Sequence, residues 1–150
     1  MKKLLHTAFT IILAIFFIYK GVEKMPIKTS EISTEEIEQL SKGDYLNSET
    51  GVKPIGYKIT MNTMRTSGFI QMIGIFQILA GVLMIIPITR IIGTFLLLPI
   101  IFNIFMMHVF FDNRIDENIL CGTLLFINVL LCFFYYSNIK TIIIHTKLTN

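Results

Sequence analysis

The sequence predicts an all-α fold: a transmembrane four-helix bundle with a long polar loop, containing a short helix, between its first and second spans. Three observations carry this expectation. Residues 66–89, 91–111 and 119–139 hold no Asp, Glu, Lys or Arg, and each run is long enough to cross a hydrocarbon core of about 30 Å at a rise of about 1.5 Å per residue. Residues 4–19 form a fourth apolar run behind Lys2 and Lys3, interrupted only by His6 and two threonines. Finally, 53% hydrophobic and only 15% charged residues, with a mean hydropathy of +0.69, leave more apolar surface than 150 residues could bury in water. The expected spans are about 4–22, 66–88, 90–111 and 118–139, in a single domain with the polar loop at about 25–65 and both termini on one side of the membrane.

The first span could also be read as a cleaved signal peptide, since a basic stretch before an apolar core is what secretion recognises. The residues after it, Tyr19-Lys20-Gly21-Val22-Glu23-Lys24, lack a small-x-small cleavage pattern, which favours retention. Lys20 and Lys24 lie on one face just beyond the apolar run. They read as interfacial anchors with buried stems, or as part of an ion pair with Glu23 at the bundle mouth.

In the polar loop, acidic and basic residues balance between Lys20 and Arg65. Ser33-Thr34-Glu35-Glu36 fits a capping box and Gly43 is placed to end the helix it starts. Ile32, Ile37 and Leu40 would give that helix one apolar stripe, to rest on the membrane surface or the bundle mouth. Residues 47–56 read as irregular chain punctuated by Gly51, Pro54 and Gly56, and residues 57–65 lead into the second span.

In the second span Gly74, Gln77, Ile78 and Gly81 share one side of the helix. Small residues permit close backbone approach in lipid, so Gly74 and Gly81 are helix-packing candidates. Gln77 reads either as an amide bonding across the helix interface or as a cavity-lining residue. Pro87-Ile88-Thr89-Arg90 is a tight turn that makes the second and third spans antiparallel neighbours, with Arg90 as an interface anchor. Pro99 deprives the Phe95 carbonyl of its helical donor and should kink the third span, with Asn103 one turn on to help satisfy the backbone. Irregular backbone at membrane depth survives only under cover, so this stretch should face inward. His108 ends the span one turn before Asp112, which could orient its ring. It reads as an amphipathic anchor or as a proton-handling or ligand-binding group.

Cys121, Asn128 and Cys132 lie on one face of the fourth span, the face expected to turn inward, and Phe133 to Tyr136 form an aromatic belt beyond it. The two cysteines are eleven residues apart, which on a helix separates them by roughly 16 Å along the axis and excludes a mutual disulfide. They read as packing residues or as redox groups. His6 and His145 have no partner spacing, so no metal site is expected.

The formal charge of +3 and pI near 8.9 do not point to nucleic acid, because the basic residues sit at the ends of apolar runs. Anionic lipid headgroups are the partners they suit. Charge bias leaves the sidedness open, since the residues on the loop side are spread thinly over a long segment. No Ser-His-Asp arrangement, nucleotide-binding glycine loop, paired carboxylates within a span or His/Cys ligand cluster is read from the sequence, so no reaction is identified.

Taken in order, Phe17 to Lys24 closing the first span, Gly74 to Leu83 in the second, Pro87 to Arg90 at the turn and His108 ending the third resemble the DoxX-like family of small four-helix bacterial membrane proteins. The resemblance covers nearly the whole chain. It implies a range of roles rather than one activity; the first reading is a multi-pass protein of the bacterial inner membrane, acting as a membrane subunit or partner of a redox system, with the cofactor left open, quinone as a candidate, and Gln77, Asn103, His108 and Asn128 as pocket candidates. Where the family pattern commonly has a glutamate in the second span this chain has Gln77, which keeps hydrogen-bonding capacity and loses the titratable charge. The alternative is a non-catalytic assembly or scaffold protein that binds partner helices through its glycine-bearing faces. A small-molecule carrier is the weaker reading, for want of a charged pathway and paired broken helices.

Overall fold

A computed structural model describes residues 2–43, 53–112 and 114–135 of the chain. Among these residues every regular element is a helix: α1 (Lys2–Glu23), α2 (Thr34–Ser41), α3 (Ile55–Thr66), α4 (Phe69–Ile85), α5 (Arg90–Met107), a π-helical turn (His108–Asp112) and α6 (Ile115–Phe134). Residues 47–52, Tyr136 of the aromatic belt, residues 136–139 of the fourth predicted span, and His145 lie outside the described residues.

Three of these helices, α1, α5 with its π turn, and α6, are long and apolar enough to cross a membrane; α3 and α4 together make a fourth candidate if the pair is one broken span. Their outer faces are mostly apolar. Leu5, Ile12 and Ile15 on α1, Leu79 and Val82 on α4, Phe102 on α5, and Phe126 and Phe133 on α6 are exposed, with polar Asn103 on α5 and Thr123 on α6 also among the exposed residues. A helix apolar all round is suited to lipid on its outer side, and these surfaces are compatible with a bilayer.

The shared core is small. Leu13, Ala14 and Phe17 of α1, Ala80 and Met84 of α4, Leu97 and Ile101 of α5, and Leu131 of α6 form one buried cluster. Glycines set the closest approaches. A Cβ added at Gly74 would stand 2.7 Å from the Gly21 carbonyl oxygen, and one at Gly81 would stand 2.8 Å from that of Ala14. Because Gly21 meets Gly74 while Ala14 meets Gly81, α1 and α4 run antiparallel with their backbones nearly touching, the packing that small residues permit. Gly93 repeats the arrangement between α5 and α4, where a Cβ would lie 2.6 Å from the Ala80 carbonyl.

The second predicted span differs at its start. Instead of one helix from residue 66, the chain breaks at Ser67-Gly68, and α3 and α4 meet at 75°. Gly68 sits at φ +81°, in the left-handed region that glycine enters without a Cβ penalty. The Gln71 amide, oriented to donate, reaches the carbonyls of Gly68 (3.2 Å) and Arg65 (3.3 Å) at the break.

The polar segment is ordered by its own side chains. Ser33 N–H donates to the Glu36 carboxylate (2.9 Å), while Glu36 N–H donates to Ser33 Oγ (3.3 Å). Gly43, at φ +77°, ends α2 with its N–H on the Leu40 carbonyl. The strap before α2 is pinned to α3: Asn62 bonds both backbone groups of Ser30 (2.9 and 2.8 Å), Arg65 donates to the Lys28 carbonyl, and Lys58 pairs with Glu36. Ile32 and Ile37, from the apolar stripe expected on α2, are exposed.

At the other end, Arg90 turns back onto α4. Its Nε donates to the Met84 carbonyl at 3.0 Å and its Nη1 to Thr7 Oγ1 at 3.4 Å. It thereby caps the C-terminus of α4, where the unpaired carbonyls and the helix dipole both favour a cation. Thr89 Oγ1 assists by donating to the Leu83 carbonyl (3.0 Å).

Candidate functional site

The strap, α3 and the ends of α1, α4, α5 and α6 surround a cavity of about 980 Å³. Its volume matches that of sites which take up drug-sized ligands or larger, roughly 300–1,000 Å³. Its wall has two parts. Phe16, Phe17, Ile73, Phe76, Ile100 and Ile104 are apolar, whereas Lys20, Glu23, Lys24, Lys28, Arg65 and Glu117 supply charge.

Of the four pocket candidates read from sequence, Gln77, Asn103 and His108 line this cavity. Gln77 projects from mid-α4 and is 1% exposed, yet its Oε1 has no donor among the described residues. Asn103 is accounted for differently. Its Nδ2 donates to the Pro99 carbonyl at 2.8 Å, so it braces the helix at the proline without reaching the Phe95 carbonyl that Pro99 leaves short of a partner. Pro99 lies inside α5 and, like Asn103, borders the cavity while remaining exposed, so the two are not under the protein cover expected for this stretch from its sequence; the Asn103 bond to the Pro99 carbonyl accompanies the exposure.

Asn128 is not part of the wall. It is fully buried on the inward face of α6, where its Oδ1 accepts from the Cys132 thiol (3.7 Å) and its Nδ2 has no partner among the described residues. Gly74 and Gly81 lie in the α1–α4 contact described above, and Lys20 and Lys24 both face the cavity. Lys20 pairs with Glu23 at 2.7 Å. Burial, and then the neighbouring Lys20 charge, pushes the Lys24 ammonium below the ordinary lysine range.

His108 belongs to a network at the cavity's edge. Asp112, with its carboxylate fully buried, accepts from Arg114 Nε (2.8 Å) and Nη2 (2.8 Å) and pairs with His108 Nδ1 at 3.0 Å. An ionised carboxylate can only accept, so His108 carries its proton on Nδ1 and leaves Nε2 free. Arg114 also reaches Glu117 (3.3 Å). Its hydrogen bonds to Asp112 hold the guanidinium charged well above its already high ordinary value. The π turn makes this possible by turning His108 and Asp112 toward α6; such turns occur often at functional sites. Tyr57 of α3 lies against the other side of His108, with ring centroids 6.0 Å apart.

Sequence spacing did not reveal two members of this edge, Glu117 and Cys121. They lie one turn apart on α6, and the reversal at Arg114 brings them to His108, so that one ligand atom from each of the three lies within 4.8 Å of the others. The signal available in the sequence was the i, i+4 pair at the start of the fourth span, which gains meaning only once His108 folds beside it.

Compared with family models, curated proteins and solved structures, the chain matches none of them.

Proposed function

We propose that this chain is a multi-pass protein of the bacterial inner membrane, of the DoxX-like type, whose four-helix bundle binds an isoprenoid quinone or quinol as the membrane partner of a redox system. The observation that carries the reading is the Gln77 amide: a buried acceptor with no donor among the described residues, from a side chain that lines a large and mostly apolar cavity. An unpaired buried polar atom costs about 1–3 kcal/mol, and a ligand hydroxyl in the cavity would relieve that cost. A quinol supplies such an O–H, and a quinone carbonyl would instead accept from the Gln77 amide nitrogen. The aromatic and aliphatic wall suits an isoprenoid tail. A diacyl phospholipid also satisfies the apolar wall and the lysines, but its donors sit in the headgroup beside the lysines rather than at the depth of mid-α4, where Gln77 lies.

The test is extraction and mass spectrometry of protein purified in mild detergent, together with saturable binding of ubiquinone and menaquinone in nanodiscs. The expected result is stoichiometric quinone in the wild type and at least a tenfold loss of affinity in Gln77→Leu. Absence of co-purifying quinone together with no saturable binding would overturn the reading. The scaffold alternative would need a surface other than Gly74 and Gly81, since both are already packed against α1.

A further inference from the structure

We propose that His108, Glu117 and Cys121 form a binding site for a divalent transition cation of the zinc class, with an open coordination position facing the cavity. The three side chains come from two elements, the π turn and α6, and their nearest ligand atoms already lie within 4.8 Å of one another. Around a tetrahedral zinc with bonds of about 2.0–2.3 Å, ligand atoms stand roughly 3.3–3.8 Å apart, so side-chain rotation of about 1 Å closes the site without moving a helix. All three residues line the cavity, which leaves a path for the ion and room for a fourth ligand.

The surroundings are those of a metal-ligating histidine. Asp112 holds Nδ1 of His108 at 3.0 Å, which fixes the tautomer and presents the Nε2 lone pair; a carboxylate behind a ligating imidazole is the recurrent second partner at zinc sites. Asp112 is itself held by two bonds from Arg114, so the ring orientation is set before any ion arrives. Of the Glu117 carboxylate, only Oε1 is engaged by Arg114, at 3.3 Å, and the other oxygen is left to coordinate.

Charge and donor softness select the ion. A thiolate and a carboxylate with a neutral imidazole carry two negative charges, so a divalent cation makes the cluster neutral, which favours it in a low-dielectric setting. A sulfur, nitrogen and oxygen donor set suits zinc or cobalt, while magnesium and calcium prefer oxygen alone. Closing the site displaces the thiol proton of Cys121 to solvent as the sulfur–metal bond forms. The ion needs no quinone, so this proposal and the proposed function fail separately.

The experiment is titration of chelator-treated, detergent-purified full-length chain with cobalt(II). One cobalt per chain is expected, with a sulfur-to-cobalt charge-transfer band and the intense visible bands of tetrahedral geometry, both removed by equimolar zinc. Cys121→Ser should abolish the charge-transfer band. His108→Ala and Glu117→Gln should each weaken binding at least tenfold, and Cys132→Ser should leave spectrum and affinity unchanged, which also shows that loss of a cysteine does not by itself unfold the protein. A charge-transfer band that survives Cys121→Ser, affinity unchanged in His108→Ala, or no stoichiometric uptake by the wild type would each overturn the proposal. Weak, non-saturating uptake without the sulfur band would mean adventitious binding to surface carboxylates and would also overturn it.

Discussion

Asp112 is the residue whose position most constrains the polar end of the molecule. Its carboxylate is inaccessible to solvent and survives there because Arg114 supplies two parallel N–H donors, the geometry in which a guanidinium outperforms an ammonium. Removing one partner of such a pair leaves a buried charge uncompensated, at about 3–5 kcal/mol. Arg114→Ala should therefore destabilise the protein by roughly that amount, and Arg114→Lys should recover only part of it, because a point charge cannot make both bonds. Thermal unfolding in detergent, followed by circular dichroism, measures both; an Arg114→Ala variant within about 1 kcal/mol of wild type would show that the pair is not what holds the α5–α6 turn. The His108–Asp112 spacing was legible in the sequence. Arg114 as the keystone was not, because a residue two positions past Asp112 reaches back only after the helix has unwound into a π turn.

At the scale of the elements, helix contacts depend on missing side chains. The Gly74 and Gly81 stripe was visible in the sequence as an interface signal, but its partner was not: nothing in the spacing says that α1 would present Gly21, Ala14 and Ile18 to it. The pairing follows from the antiparallel register. Substituting Gly74 by alanine would place a methyl carbon 2.7 Å from a backbone oxygen that cannot move without shifting α1. Overpacking of this kind costs about 1–3 kcal/mol, so Gly74→Ala and Gly81→Ala should each lower thermal stability by that order. Gly122→Ala is the matched control, because its new carbon would meet only the edge of the Phe105 ring at 3.3 Å, which a small ring shift accommodates. Equal stability for Gly74→Ala and Gly122→Ala would show that the α1–α4 approach is looser than described. The Ser67-Gly68 break was also written in the chain as a turn dipeptide, yet the apolar run across it hid the stop, since hydropathy counts residues and does not see φ. The capping box over Ser33 and Glu36 was legible in full because it is local: four consecutive residues contain both donors and both acceptors.

For the molecule as a whole, α3 and α4 form either one broken span or a re-entrant pair, and their lengths favour a crossing by α4. At about 1.5 Å per residue, the 17 residues of α4 span roughly 26 Å and the 12 of α3 roughly 18 Å. The first nearly matches a hydrocarbon core of about 30 Å and the second falls well short. With α4 crossing antiparallel to α1, the 75° bend would lay α3 close to the membrane plane, and this arrangement can be tested directly. Lys58, Asn62 and Arg65 along α3 are spent on Glu36, Ser30 and Lys28, contacts that hold α2, the strap and α3 together on one face over the cavity. Single cysteines placed in a Cys121→Ser, Cys132→Ser background test this with a charged, membrane-impermeant maleimide. Lys42→Cys and Thr63→Cys should label from the same side. Ile88→Cys, at the 87% exposed turn between α4 and α5, should label from the opposite side, and Leu79→Cys, mid-α4 and facing lipid, from neither. Labelling of Thr63→Cys and Lys42→Cys from opposite sides would mean that α3 is part of the crossing. Labelling of Ile88→Cys on the Lys42 side would make the pair re-entrant.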